Sequence, residues 1–166
     1  MTLHVNDDGL EVRYGTSKAT KLKGGDLKTF GDLQEIRMTI TGTEVPSTDA
    51  PLDKKVTIPS GSYIESATLT VGATAFTSGG SATLDIGTML DDGDGTYSTK
   101  DDDGIDAAIG KSTLAANARI ACNGAQVNTV VSSSDGLPLP ISVGYGTAVF
   151  TAGVAELVVR YKVSHD

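Results

Sequence analysis

The chain has 166 residues, of which 39% are apolar and 5% aromatic, with 20 glycines, no tryptophan and a formal net charge of −8. That length suits one domain with a sizeable core, while a pI near 4.6 opposes attraction to phosphate backbones and excludes nucleic acid as the leading partner. No apolar run approaches the ~18 residues of a membrane span, and a single cysteine, Cys122, excludes an intramolecular disulfide.

A Thr-, Val-, Ile- and Gly-rich chain with few long amphipathic runs points to an antiparallel β protein. Its shortage of aromatic anchors leads us to expect that oligomerisation or docking supplies part of the stability. The opening MTLHVNDDG is polar and acidic without an apolar h-region, which argues against a secretory signal and for folding in a cytoplasm.

In chain order, Leu3–Val5 and Leu10–Tyr14 could be short strands around an Asn6–Gly9 turn. The segment GTSKATKLKGGDLKTFGDL that follows is polar, Gly-punctuated and weakly periodic. Residues 1–33 therefore read as an arm that orders against something else, and residues 34–166 as the folded domain. In EIRMTITG, Ile36, Met38 and Ile40 face one way, with Glu35, Arg37, Thr39 and Thr41 opposite. A loop with Pro46 and Pro51 leads to a strand at Val56–Ile58, and Pro59-Ser60-Gly61 turns into the next strand at Tyr63. Between Val56 and Gly95 two alternating runs are joined by a Gly/Ser loop and closed by an acidic turn. The first buries Ala67, Leu69 and Val71, the second Ala82, Leu84 and Ile86, as a sheet with one wet face requires.

Residues 105–121 have helical flavour, with Asp103 or Asp106 available as caps and Gly110 as an interruption, so short helical turns are expected around residues 103–121. QVNTVV at 126–131 reads as a strand, and Pro138 and Pro140 mark a loop or an edge. Ser142–Thr151, the turn Ala152-Gly153 and Ala155–Val163 read as a closing hairpin. Its last strand puts Leu157, Val159, Tyr161 and Val163 on one face and Glu156, Val158, Arg160 and Lys162 on the other. About eight short strands make an all-β fold: an antiparallel β-sandwich of jelly-roll-like topology.

The charge is unevenly placed. Residues 85–106 hold eight aspartates and one base, Lys100, whereas residues 13–28 hold Arg13, Lys18, Lys21, Lys23 and Lys28 against Asp26 alone. Such a layout fits docking onto a charged surface; the competing reading is two solvated faces. From Asp92 the acidic loop runs Asp92, Asp94, Thr96, Ser98, Lys100 and Asp103 at positions 1, 3, 5, 7, 9 and 12. An EF-hand needs glycine at position 6 and a bidentate glutamate at 12, where this chain has Tyr97 and Asp103, so the match fails. A different cation site built from Asp91, Asp92, Asp94 and Asp101–Asp103 stands as the alternative to a solvated loop. Both histidines, His4 and His165, lie near a terminus, and no GxSxG or P-loop pattern occurs. No catalytic, cofactor-binding or metal residues are assigned, and no enzyme activity or cofactor is expected.

Two stretches carry a family resemblance. MTLHVNDDGLEVRYGTSKAT…GGDLKTFGDLQEI, followed by VTIPSGSYIESATLTVGATAFTSGGSATLDIGTMLDDG, resembles small virion structural proteins of tailed bacteriophages, capsid decoration (cement) proteins in particular. The terminal FTAGVAELVVRYKV is similar to the closing hairpin of such proteins. The resemblance implies a non-enzymatic β-sandwich that binds the outer surface of the capsid in the host cytoplasm and stabilises the shell. Its implied partners are the major capsid protein and further copies of itself, as trimer or dimer, with no nucleic acid and no membrane. Arg13, Lys18, Lys21, Lys23 and Lys28 are the candidate capsid contacts. The alternatives are a head-fibre or tail-associated virion protein, or a carbohydrate- or calcium-binding β-sandwich module.

Overall fold

The computed structural model describes residues 2–5, 11–14, 33–94 and 96–163. Strands β1 (Thr2–Val5) and β2 (Glu11–Tyr14) pair antiparallel with each other. The chain then forms β3 (Gln34–Thr41), a single 3-10 turn at Gly42–Glu44, β4 (Ala50–Pro51), β5 (Thr57–Ile58) and β6 (Ser62–Val71). The short β7 (Thr77–Ser78) precedes β8 (Thr83–Asp91) and β9 (Tyr97–Gly110). After β10 (Arg119–Ala121) and β11 (Val130–Val131) come β12 (Leu139–Gly146), β13 (Phe150–Ala152) and β14 (Val154–Val163). No α-helix occurs among the described residues, and hence no helix there is long and apolar enough to cross a membrane.

The long strands form two sheets. Sheet I runs β10-β6-β14-β3, with β11 sharing the β6 edge used by β10; sheet II runs β4-β12-β8-β9, with β5 sharing the β12 edge used by β4. Each sharing pair acts as one interrupted strand, leaving eight strand positions in chain order. The first then lies beside the last, the second beside the seventh, the third beside the sixth and the fourth beside the fifth. That is a long hairpin rolled into two stacked sheets, the jelly roll expected from the sequence.

Alternation builds the core. Met38 and Ile40 of β3, Leu69 and Val71 of β6, and Leu157 and Val159 of β14 pack against Leu84 and Ile86 of β8 and Ile141 and Val143 of β12. Full burial of side chains of this size contributes roughly 1.5–3 kcal/mol each. In β6 the inward positions change phase between Ile64 and Ala67, because β14 pairs Arg160 with Ser66 but Tyr161 with Ile64, leaving Glu65 as the extra residue of a bulge. Phe76 and Phe150 close one end edge-to-face, with centroids 5.2 Å apart.

Several local expectations change. The alternating runs of β6 and β8 lie in opposite sheets, because the segment between them is long enough to cross the sandwich and carries β7. The closing hairpin is also absent. Thr147 adopts φ 69° and ends β12, so the chain crosses to sheet I, and β13 pairs with β7. Residues 103–110 belong to β9, where Ile105 and Ile109 are buried. The turns anticipated around 103–121 are confined to 111–118, where Thr113 and Ala118 donate to the carbonyls of Gly110 and Ala115 at 2.8 and 3.1 Å. Within 126–131 only Val130–Val131 is strand, since Asn128 takes φ 63° and Thr129 closes a turn onto the Gln126 carbonyl at 3.3 Å. Pro140 sits in β12 beyond the first residue paired with β8, Ile141, so its missing N–H interrupts no ladder there.

Candidate functional surfaces on the outer faces of the sheets

Of the candidate capsid contacts, Arg13 occupies β2 opposite Leu3. Its side chain, and Lys18, Lys21, Lys23 and Lys28, lie outside the described residues, as does most of the arm.

The outer face of sheet I is a lattice of ion pairs dictated by register. Glu35 stands opposite Arg160, and Arg37 opposite Val158 beside Glu156. Arg160 Nε donates to Glu35 Oε2 at 2.9 Å, Arg37 Nε to Glu35 Oε1 at 2.7 Å, and Arg37 reaches Glu156 at 3.3 Å. The hydrogen bond from Arg160, then that from Arg37, holds the Glu35 carboxyl below its ordinary range. Beside this network Arg37, Arg119 and Arg160 line a shallow depression of about 150 Å³ floored by Ser66, Thr68 and Thr70. Arg119 forms no ion pair with another described residue.

The acidic stretch divides into two parts with different chemistry. At the β8–β9 turn the carboxylates serve the turn itself. Asp91 Oδ1 accepts from Gly93 N at 2.9 Å, Asp94 Oδ1 from Thr96 N at 2.9 Å, and Asp92 Oδ1 from the Ser98 hydroxyl at 2.9 Å. Hydrogen bonds from the Thr96 side chain and then its backbone lower the Asp94 carboxyl. These are the self-capping turns that aspartate favours.

Further along β9 the arrangement differs. β8 advances from Ile86 to Thr88 while β9 advances from Asp106 back to Asp101, so residues 102–105 bulge out of the ladder. The backbone of Asp101 and Asp102 passes over Gly87 of β8, while the Gly104 and Ile105 carbonyls accept from Gln126 N and Gly124 N at 2.7 and 2.9 Å. A Cβ on Gly87 would collide with the backbone carbonyls of Asp101 and Asp102, so only glycine admits this approach. The side-chain oxygens of Asp101, Asp102 and Asp103 lie within 4.8 Å of one another. Asp49, in the loop before β4, lies outside that group, its Oδ1 occupying the space a Cβ on Gly144 would need. Burial raises the Asp49 carboxyl, and the charges of Asp102, Asp85 and Asp103 add to the effect. Burial likewise raises Asp101, followed by its hydrogen bond with Asp103.

Asp85 and Asp101–Asp103 were marked by the sequence as part of an acidic stretch, but Asp49 and Ser142 were not. Topology sets the rest: Asp85 alternates outward on β8, and Ser142 stands across from Gly87. The one sequence signal was the small-residue pattern Ser142, Gly144, Gly146 on the outward positions of β12, which leaves room above the sheet.

Fold and surfaces together define a jelly-roll domain whose distinctive chemistry lies on the outer faces of its two sheets. No protein-family model matches the chain, and no curated protein matches it in sequence. Two solved structures are similar in fold. A chain in the capsid of Ralstonia phage GP4 superposes with a TM-score of 0.54 at 16% identity, covering 84% of this chain and 89% of that one. A chain in the capsid asymmetric unit of cyanophage Pam1 gives 0.54 at 15% identity, covering 92% of this chain and 100% of that one. The likeness is one of fold.

Proposed function

We propose that this chain is a non-enzymatic structural protein of a phage virion that binds the outer surface of the capsid and stabilises the shell. The observation that carries the reading is a fold shared over nearly the full length of two chains found in phage capsids, in agreement with the sequence resemblance to decoration proteins. In this reading residues 1–33 form the docking arm, with Arg13, Lys18, Lys21, Lys23 and Lys28 against acidic surface of the major capsid protein, and residues 34–166 form the outward domain. Ordering such an arm costs entropy that its buried contacts offset, and a dimer or trimer adds avidity by touching several capsid subunits. The acidic outer face of sheet II suits a solvent-facing side, since charge of one sign keeps large particles apart.

Sedimentation of capsids lacking this protein, mixed with the purified full-length chain, tests the proposal. The chain is expected to co-sediment and to raise the temperature at which the capsid opens. Replacing Lys18, Lys21, Lys23 and Lys28 together by glutamate is expected to abolish binding. Unchanged binding by that variant would remove the arm from the reading. No binding by the native chain, together with density for it at the tail in a virion reconstruction, would replace decoration with a tail-associated role.

A further inference from the structure

We propose that the arginine-lined depression on the outer face of sheet I is a docking site for a second copy of this chain, which enters it with the acidic β8–β9 turn, Asp92 and Asp94 foremost. The depression follows from register. Arg119 of β10 stands opposite Thr70 of β6, and on the other side of β6 Thr70 faces Glu156, Thr68 faces Val158 and Ser66 faces Arg160 of β14. Short side chains on β6 thus leave a trough of about 150 Å³, with Arg119 on one bank and Arg37 and Arg160 on the other. From Ser66 to Thr70 the trough runs for roughly 13 Å.

The two banks differ in how far their charge is answered. Arg37 and Arg160 are engaged by Glu35 and Glu156 on the β14–β3 side. Among the described residues Arg160 gives only its Nε, to Glu35, and keeps its remaining donors. Arg119 is exposed and has no anionic partner among the described residues. Carboxylates set between Arg119 and the opposite bank would meet guanidinium groups from both sides, with the hydroxyls of Ser66, Thr68 and Thr70 as further donors.

The β8–β9 turn presents such carboxylates. Asp92 and Asp94 are exposed and accept only from their own turn, Asp92 from the Ser98 and Thr96 hydroxyls and Asp94 from Thr96. Those bonds hold the carboxylates in place, which lowers the entropy cost of capture, and leave each with lone pairs to offer. No lysine or arginine among the described residues forms an ion pair with them. The turn cannot fill the trough of its own chain. It closes the Asp91 end of β8, whereas Gly110, from which the chain passes to Arg119, stands opposite Thr83 at the other end. The 9 residues of β8 set those ends roughly 26 Å apart, and the trough lies on the far side of the sandwich. Residues 85–106 carry eight aspartates against Lys100 alone, so two copies of one chain supply both halves of a complementary contact.

The test uses the isolated full-length chain, so its outcome is independent of capsid attachment. Sedimentation velocity is measured over a concentration series at low ionic strength and again in about 1 M salt, where charge is screened within roughly 3 Å. A chain of net charge −8 repels its copies more strongly as salt is removed, so association that strengthens at low salt is the expected mark of paired patches. Arg119→Glu is expected to weaken that association at least about tenfold, and Arg119→Ala to weaken it less. Asp92→Lys should weaken it as well, whereas Arg119→Glu and Asp92→Lys combined in one chain should recover it, because the attraction re-forms with its signs exchanged. No self-association of the native chain at low salt would overturn the proposal, as would native-like association of Arg119→Glu. Loss of capsid co-sedimentation by Arg119→Glu with self-association intact would also overturn it, in favour of an acidic capsid surface as the occupant.

Discussion

Cys122, just beyond β10 in sheet I, neighbours the carboxylate of Asp106 on β9 in sheet II, and each shifts the titration of the other. Cys122 is 6% exposed and Asp106 7% exposed, so a titratable pair bridges the two sheets at the margin of the core. Burial, and then the charge of Asp106, pushes the Cys122 thiol up to about 12.

Cys122 is accordingly expected to resist thiol reagents in the native protein. At pH 8 a thiol of that acidity is thiolate in only about one part in ten thousand. Ellman's reagent should label it slowly until denaturant is added, and then fully. Rapid labelling without denaturant would mean that the β10 edge opens locally.

Asp106 gives a pH signature of opposite sign to the usual carboxylate. Burial raises it in the folded protein, against the neighbouring Cys122 thiol and the hydrogen bond from the Ala107 amide, which lower it; the charge of Asp85 raises it further. The unfolded chain loses this proton near the ordinary value, and the folded chain only at higher pH. Stability from this group is therefore present at low pH and lost as pH rises from about 4 through the folded value. Asp106→Asn should flatten that decline, measured as urea unfolding free energy against pH.

Glu35 behaves the other way. Its carboxyl is lowered by Arg160 and Arg37, so its contribution is present above the unfolded value and lost as pH falls through the folded one. The network is exposed, and Glu35→Gln should lower the melting temperature slightly at low ionic strength. The difference should vanish in about 1 M salt, where the screening length is near 3 Å. Persistence of the difference at high salt would show that packing, not charge, is responsible.

Packing predictions separate the two faces of one strand pair. Leu157 is 0% exposed, and Leu157→Ala should cost about 2–5 kcal/mol in chemical unfolding. Thr39→Ala, on the wet face opposite Glu156, should stay within about 1 kcal/mol. Gly87→Ala should cost about 1–3 kcal/mol, because its methyl group meets backbone and the acidic bulge must lift.

Strands that keep one dry and one wet face were legible in the sequence. β3 and β14 alternate without interruption, so Met38, Ile40, Leu157 and Val159 could be assigned to the core directly. β9 was not legible, because three register shifts break its alternation and its Asp, Ala and Gly residues resemble caps and turns. Strand pairing was hidden for a different reason. Period-two alternation states which face a residue uses but not which neighbour it meets, so β6 and β8 read as partners although the sandwich separates them. The acidic surface was half visible for the same cause: Asp101–Asp103 are contiguous, whereas Asp49, whose carboxyl the charges of Asp102 and Asp103 raise, comes near them only through the roll.

The position of β14 between β3 and β6 has a bearing on how the domain forms. Neither of those strands bonds to the other, so the centre of sheet I is missing until β14 arrives, and β14 follows every other described strand in the chain. Ladders between such distant segments close slowly, in the millisecond-to-second class of all-β domains. During synthesis β3 and β6 wait with bare edges, the condition in which chains stick to one another. Rapid synthesis at high copy number should thus favour misassembly, and slower expression at reduced temperature should favour the soluble domain.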